Sequence, residues 1–152
     1  VSTTRVIVLG NETAGDDGAA LRAVRGLSGA DLVLAGRPGP TLLDLLQPDR
    51  RTVLVDVTQS GAEPGTIIRH ALGDLVRLSA AQPQTSSHGF GPAEVLRLAE
   101  ALGRPLPPGM FVGIEGRDFG PSTELSAPVE AKLSELRATI EALVDPNGDR
   151  HA

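Results

Sequence analysis

Short, nearly unbroken apolar runs alternate along this chain with apolar residues spaced as on one face of a helix. The runs fall at residues 6–9, 31–35, 52–57 and 110–114, each of strand length and each followed within four residues by Gly. Between them the period changes. Leu21, Val24 and Leu27 share one face of a helix predicted from Asp16 or Asp17 to about residue 27. A short helix is predicted over 41–46, after the turn Gly36-Arg37-Pro38-Gly39-Pro40. Val95, Leu98, Ala99 and Leu102 predict a helix entering at residue 88 or 91 and ending near 102. Val129, Leu133, Leu136, Ile140 and Leu143 step by four, three, four and three in a last helix starting at Ser126. Residues 66–70 read as a fifth strand. It lies too close to the third for a helical crossover, so it is expected to pair antiparallel, at an edge or as a hairpin. The polar stretch 79–87 reads as a loop.

Apolar strands alternating with helices imply a parallel sheet covered on both faces. The expected fold is α/β: a single-domain three-layer α/β/α arrangement with a twisted, mostly parallel five-stranded sheet and one antiparallel strand. It should occupy residues 1–144, leaving 145–152 as a flexible tail that holds Pro146 and Gly148.

Composition narrows the chemistry. A chain of 152 residues can bury one core, and with three Phe, no Trp and no Tyr that core must be built from Val, Leu, Ile and Ala. Platforms for stacking bases are lacking, and a net charge of −5 with scattered basic residues argues against nucleic acid. The absence of Cys removes disulfides, thiolate metal sites and a Cys nucleophile, and it is compatible with a reducing cytoplasm. No apolar run reaches the length of a membrane span, and no secretory signal pattern is visible.

Ligands of open α/β sheets bind beyond the carboxyl ends of the strands. After the first strand comes Gly10-Asn11-Glu12-Thr13-Ala14-Gly15-Asp16-Asp17-Gly18. Its spacing is that of a phosphate-cradling loop, but it offers carboxylates and no cation, which suits a metal ion or proton transfer better than an anion. Asp56 ends the third strand, Ser86-Ser87-His88 leads into a helix, and Glu115 ends the last strand. Two carboxylates and an imidazole meeting in one cleft would make a three-ligand divalent-metal site with positions left open, or a general acid–base pair. Plainer roles are available to each residue. Asp17 could cap its helix, Asp56 could bind its own turn, Glu115 could pair with Arg117, and the glycines could serve backbone geometry alone. A triad of Ser86 or Ser87 with His88 and Asp56 lacks the expected Gly-x-Ser-x-Gly elbow.

These segments, taken in order, resemble the hydrogenase maturation proteases, endopeptidases that trim the C-terminus of a nickel–iron hydrogenase large subunit. The likeness lies in Gly10-Asn11, Gly15-Asp16-Asp17-Gly18, Gly36-Arg37-Pro38-Gly39 with 42–46, and Val53-Leu54-Val55-Asp56-Val57 with Gly61 and Pro64-Gly65-Thr66. It continues through Ser86-Ser87-His88-Gly89, Val112-Gly113-Ile114-Glu115 and Leu125-Ser126. The resemblance implies that Asp17, Asp56 and His88 are the metal-binding and catalytic residues, with Gly10, Asn11, Gly15, Asp16 and Gly18 as the supporting loop. It also implies a divalent metal, nickel by preference and either the protein's own or supplied by the substrate, and a hydrogenase large-subunit precursor as partner. Val8, Ala20 and Gly116 depart from the family's usual residues, and none of these departures removes a ligand. Two rivals stand beside this expectation: a non-catalytic metal-binding assembly factor for the same precursor, and a mononucleotide-binding protein.

Overall fold

The computed structural model describes residues 3–81 and 91–144. Strands β1 (Arg5–Leu9), β2 (Asp31–Gly36), β3 (Thr52–Thr58), β4 (Ile67–Ala71) and β5 (Gly109–Glu115) form one sheet in the order β2-β1-β3-β5-β4. The pairs β1–β2, β1–β3 and β3–β5 are parallel, and β4 runs antiparallel to β5 at the edge. The strand expected over 66–70, now β4, is therefore an edge strand and not a hairpin partner of β3.

Side chains alternate between the faces, as the pleat requires. Val6, Val8, Val53, Val55, Val57, Val112 and Ile114 pack on one face beneath helices α1 (Ala19–Ala23), α4 (Ala127–Glu130) and α5 (Leu133–Val144). Ile7, Leu9, Leu54 and Phe111 pack on the other, under the 3-10 helix Gly39–Leu45 and helices α2 (Leu72–Ala81) and α3 (Pro92–Ala101). The three-layer expectation holds, with an aliphatic core to which Phe111 is the one buried aromatic contribution among the described residues.

Several helices differ in detail from the periodic reading. The first opens as a 3-10 turn, Gly15–Gly18, and ends at Ala23. The backbone N–H of Asp16 is drawn away to the carbonyl of Asp118, and Gly26 has φ +73, a conformation that breaks a helix. The last helical stretch breaks into two at residues 131 and 132. Helix α2 was not expected. It leaves β4 with no turn residue between them, Ala71 ending the strand and Leu72 starting the helix, so nothing in the sequence punctuates the change.

Order β2-β1-β3 creates the feature that matters for function. The chain leaves β1 through α1 on one face and leaves β2 through the Gly39–Leu45 helix on the other. From β1 the chain goes to β2 on one side and from β3 to β4 on the other, so the carboxyl ends of β1 and β3 form the switch point of the sheet, where the crevice that takes ligands lies in such folds.

Candidate active site

Asp17 and Asp56 meet in this crevice, though they arrive from different elements. Asp56 is carried by β3, whose residues from Thr52 through Val57 are buried, and is itself 3 % exposed. Asp17 comes from the 3-10 turn after β1 and is 7 % exposed. Gly10 sets its position. The Gly10 backbone lies at φ +129 against the Asp17 carbonyl, so close that a Cβ there would sit 2.1 Å from that oxygen. Gly15, at φ +61, likewise lies against the Asp118 carbonyl.

One side chain joins the two carboxylates. Arg37 donates from Nη2 to Asp17 Oδ1, from Nε to Asp17 Oδ2 at 3.4 Å, and from Nη1 to Asp56 Oδ2 at 3.2 Å. The parallel register of β1 and β2 slips between Val8 and Leu9, where Leu9 pairs with Gly36 and Ala35 is passed over. Gly36 then turns at φ +64, and Arg37 leaves the sheet beside Gly10, whose N–H bonds the Gly36 carbonyl at 2.9 Å. Each carboxylate has a separate backbone anchor. The N–H of Asn11 donates to Asp17 Oδ2 at 2.8 Å, and the N–H of Val57 donates to Asp56 Oδ1 at 2.8 Å. Asp17 thus does not cap the helix that follows it. Asp56 does bind its neighbouring backbone, but through one oxygen, and turns the other to the guanidinium.

Burial pushes the Asp56 carboxyl up to about 6; the Arg37 charge, the Val57 N–H and the Arg37 hydrogen bond pull the other way without cancelling it. A carboxyl poised near neutrality inside a crevice is a group suited to proton transfer.

The adjacent acid, Asp16, has a different task. It is fully buried and accepts from the N–H groups of Arg117, Asp118 and Ser126 and from the Ser126 hydroxyl, at 2.7 to 2.9 Å. Burial alone would raise its carboxyl, but these donors outweigh it and hold it below the ordinary value. Asp16 ties the first loop to the segment between β5 and α4. Glu115 is also structural. It does not pair with Arg117; it accepts from the Thr58 and Ser60 hydroxyls and from the N–H groups of Ser60 and Gly61, closing the turn after β3.

His88, with Ser86 and Ser87, lies outside the described residues, as do the tail 145–152 and most of the polar stretch 79–87. Among the described residues no group of three potential ligands is assembled. Arg37 is the residue that sequence reasoning passed over. The polar residues at the ends of the first, third and last strands were singled out, whereas the residue following the second strand was not. The signal was available, since β2 neighbours β1 on the same rim. No helix among the described residues is long and apolar enough to cross a membrane.

Comparison with known proteins bears on the fold and the family. Among solved structures, the hydrogenase maturating endopeptidase HybD from Escherichia coli superposes with a TM-score of 0.77 at 22 % identity, over 95 % of this chain and 94 % of its own. HybD from Thermococcus kodakarensis gives 0.60 at 22 %, over 93 % and 99 %. The hydrogenase 2 maturation peptidase from a Thaumarchaeota archaeon gives 0.61 at 25 %, over 92 % and 98 %. No match is found among curated proteins. The family model for hydrogenase maturation protease matches residues 20–143, a span that takes in Arg37, Asp56 and residue 88 but starts after Asp17. The chain therefore belongs to the hydrogenase maturation protease family, the endopeptidases that process the C-terminus of the hydrogenase large subunit.

Proposed function

We propose that Asp17 and Asp56, together with His88, are the catalytic and metal-binding residues of this endopeptidase, and that its substrate is a nickel-loaded precursor of a nickel–iron hydrogenase large subunit. The observation that carries the reading is the convergence of two buried carboxylates on a single cationic group at the sheet's crevice. Arg37 stands there as a stand-in cation, and the donor set, two carboxylate oxygens to which an imidazole would be added, suits nickel, zinc or a similar ion. A divalent metal held by these residues would polarise the scissile carbonyl or make a water more acidic.

The chain's own residues supply the rest. Asp56 Oδ1 is held by the Val57 N–H, which leaves Oδ2 as the oxygen that would hold a metal; in a route without metal the same oxygen would instead take up the proton of attacking water. With the group titrating near 6, it is ionised yet still basic at neutral pH. Asp17, tied to the Asn11 N–H, holds its position in the crevice. Recognition of nickel on the substrate through these carboxylates would make loading a condition of cleavage, because the empty precursor would lack the contact that seats it. The Cys-free composition suits a reducing cytoplasm, where we place the reaction.

The test uses purified precursor with and without nickel and reads the mass of the large subunit after incubation. Loss of a C-terminal peptide from the loaded precursor alone is the expected result. Equal processing of both would defeat metal gating, and unchanged mass in both would favour a non-catalytic assembly role. Ala at position 17, 56 or 88 should each abolish processing, and full activity in all three variants would remove the proposed site.

A further inference from the structure

Arg37 is not built like a structural arginine. Arg5 provides the contrast within this chain. Its side chain is 14 % exposed, and it is pinned both by Asp31 and by the backbone carbonyl of Leu45. The Arg37 side chain is 47 % exposed, and among the described residues its hydrogen bonds go to Asp17 and Asp56 alone. It sits on the segment leaving an edge strand, so it can swing into solvent without breaking any other hydrogen bond among the described residues. The carboxylates would not follow, because the Asn11 and Val57 N–H groups hold each of them independently. The charges do not balance either: two carboxylates face one guanidinium, whereas a divalent ion would neutralise both.

We propose that Arg37 is a placeholder cation. It keeps Asp17 and Asp56 aimed at one point while no metal is bound, and a divalent ion must displace it to reach them. The inference rests on the reading of Asp17 and Asp56 as metal ligands. Its consequence is selectivity. Stray metal has to compete with an intramolecular cation, so the resting enzyme binds free metal weakly, and an ion presented on a docked substrate, at high effective concentration, prevails. Arg37 is a positioning residue here and takes no part in bond breaking.

The test is calorimetric titration of nickel chloride into the full chain and into Arg37→Gln, with Asp17→Asn and Asp56→Asn alongside. Removing two partly exposed ion pairs should tighten nickel binding in Arg37→Gln by about tenfold, and each Asn variant should weaken it. Equal or weaker binding by Arg37→Gln, with the Asn variants still impaired, overturns the placeholder role and leaves the metal site standing. Absence of nickel binding in both the parent and Arg37→Gln overturns both. A second measurement needs no variant. In protein labelled with 15N-arginine, zinc chloride, which is diamagnetic, should shift the Arg37 Nε–H resonance as the guanidinium leaves the two carboxylates. A resonance unmoved while zinc binds overturns the displacement.

Discussion

Asp56→Asn isolates the energetic cost of keeping a carboxylate inside the crevice. Burial raises Asp56 from an ordinary 3.8 to about 6, so the folded protein holds this proton more tightly than the unfolded chain does. The sign follows. Stability associated with the neutral carboxyl is fully present below about 3.8 and is lost as pH rises through about 6, after which the penalty is constant. A separation of roughly two pKa units corresponds to about 3 kcal/mol of destabilisation on the alkaline side, most of which develops between about pH 4 and pH 8. Asn has a similar shape and does not titrate. The stability of the parent minus that of Asp56→Asn should therefore fall by roughly 2 to 3 kcal/mol from about pH 4 to about pH 8. Most of the other carboxyls titrate in both proteins and cancel in the difference. Urea denaturation at several pH values gives it directly, since a change of this size moves the midpoint by roughly 1 M or more. A difference that does not vary with pH would refute the reasoning. A difference that grows in the parent's favour as pH rises would show that Arg37 outweighs burial, so that the group is an ordinary ion pair and not a carboxyl poised near neutrality.

Three further outcomes separate scaffold from chemistry. Asp16→Ala leaves three backbone N–H donors and the Ser126 hydroxyl without their acceptor, so it should lose roughly 3 kcal/mol or more by urea denaturation, whereas Asp17→Asn should fold. Because Asp16 titrates below its ordinary value, the stability it gives is present above 3.8 and disappears as pH falls through the lowered value. Gly10→Ala places a Cβ 2.1 Å from the Asp17 carbonyl at φ +129, and should lower the melting temperature by several degrees while displacing Asp17 from its partners. Glu115→Ala frees the turn after β3, so amide exchange at Ser60 and Gly61 should accelerate by an order of magnitude or more, with little change in β1.

The sheet was legible because four of its five strands are short apolar runs followed within four residues by a glycine, and because β4 follows β3 too closely for a helical crossover. Helix boundaries were less legible. Whether Asp16 begins a helix or surrenders its backbone to Asp118 depends on a segment about a hundred residues away, and the change from β4 to α2 at Leu72 has no local marker. Of the proposed site, Asp56 stood out by its place on the third strand, whereas Asp17 was preferred to its neighbour Asp16 through the family resemblance; the structure brings both Asp17 and Asp56 to one guanidinium.

By itself the sequence determined the layer architecture, the aliphatic core and the acidic character of the first loop, since hydrophobic period and residue chemistry are local properties of the chain. The resemblance set Asp17 in the site and Asp16 in its supporting loop, but only the tertiary structure gave the physical ground, sending Asp16 to the distant backbone at 117, 118 and 126 and Asp17 to the crevice. It alone revealed Arg37 between the two carboxylates. Two adjacent aspartates are chemically identical in sequence; which donors and charges surround each one is settled when remote segments pack, and that surrounding sets their ionisation and their roles.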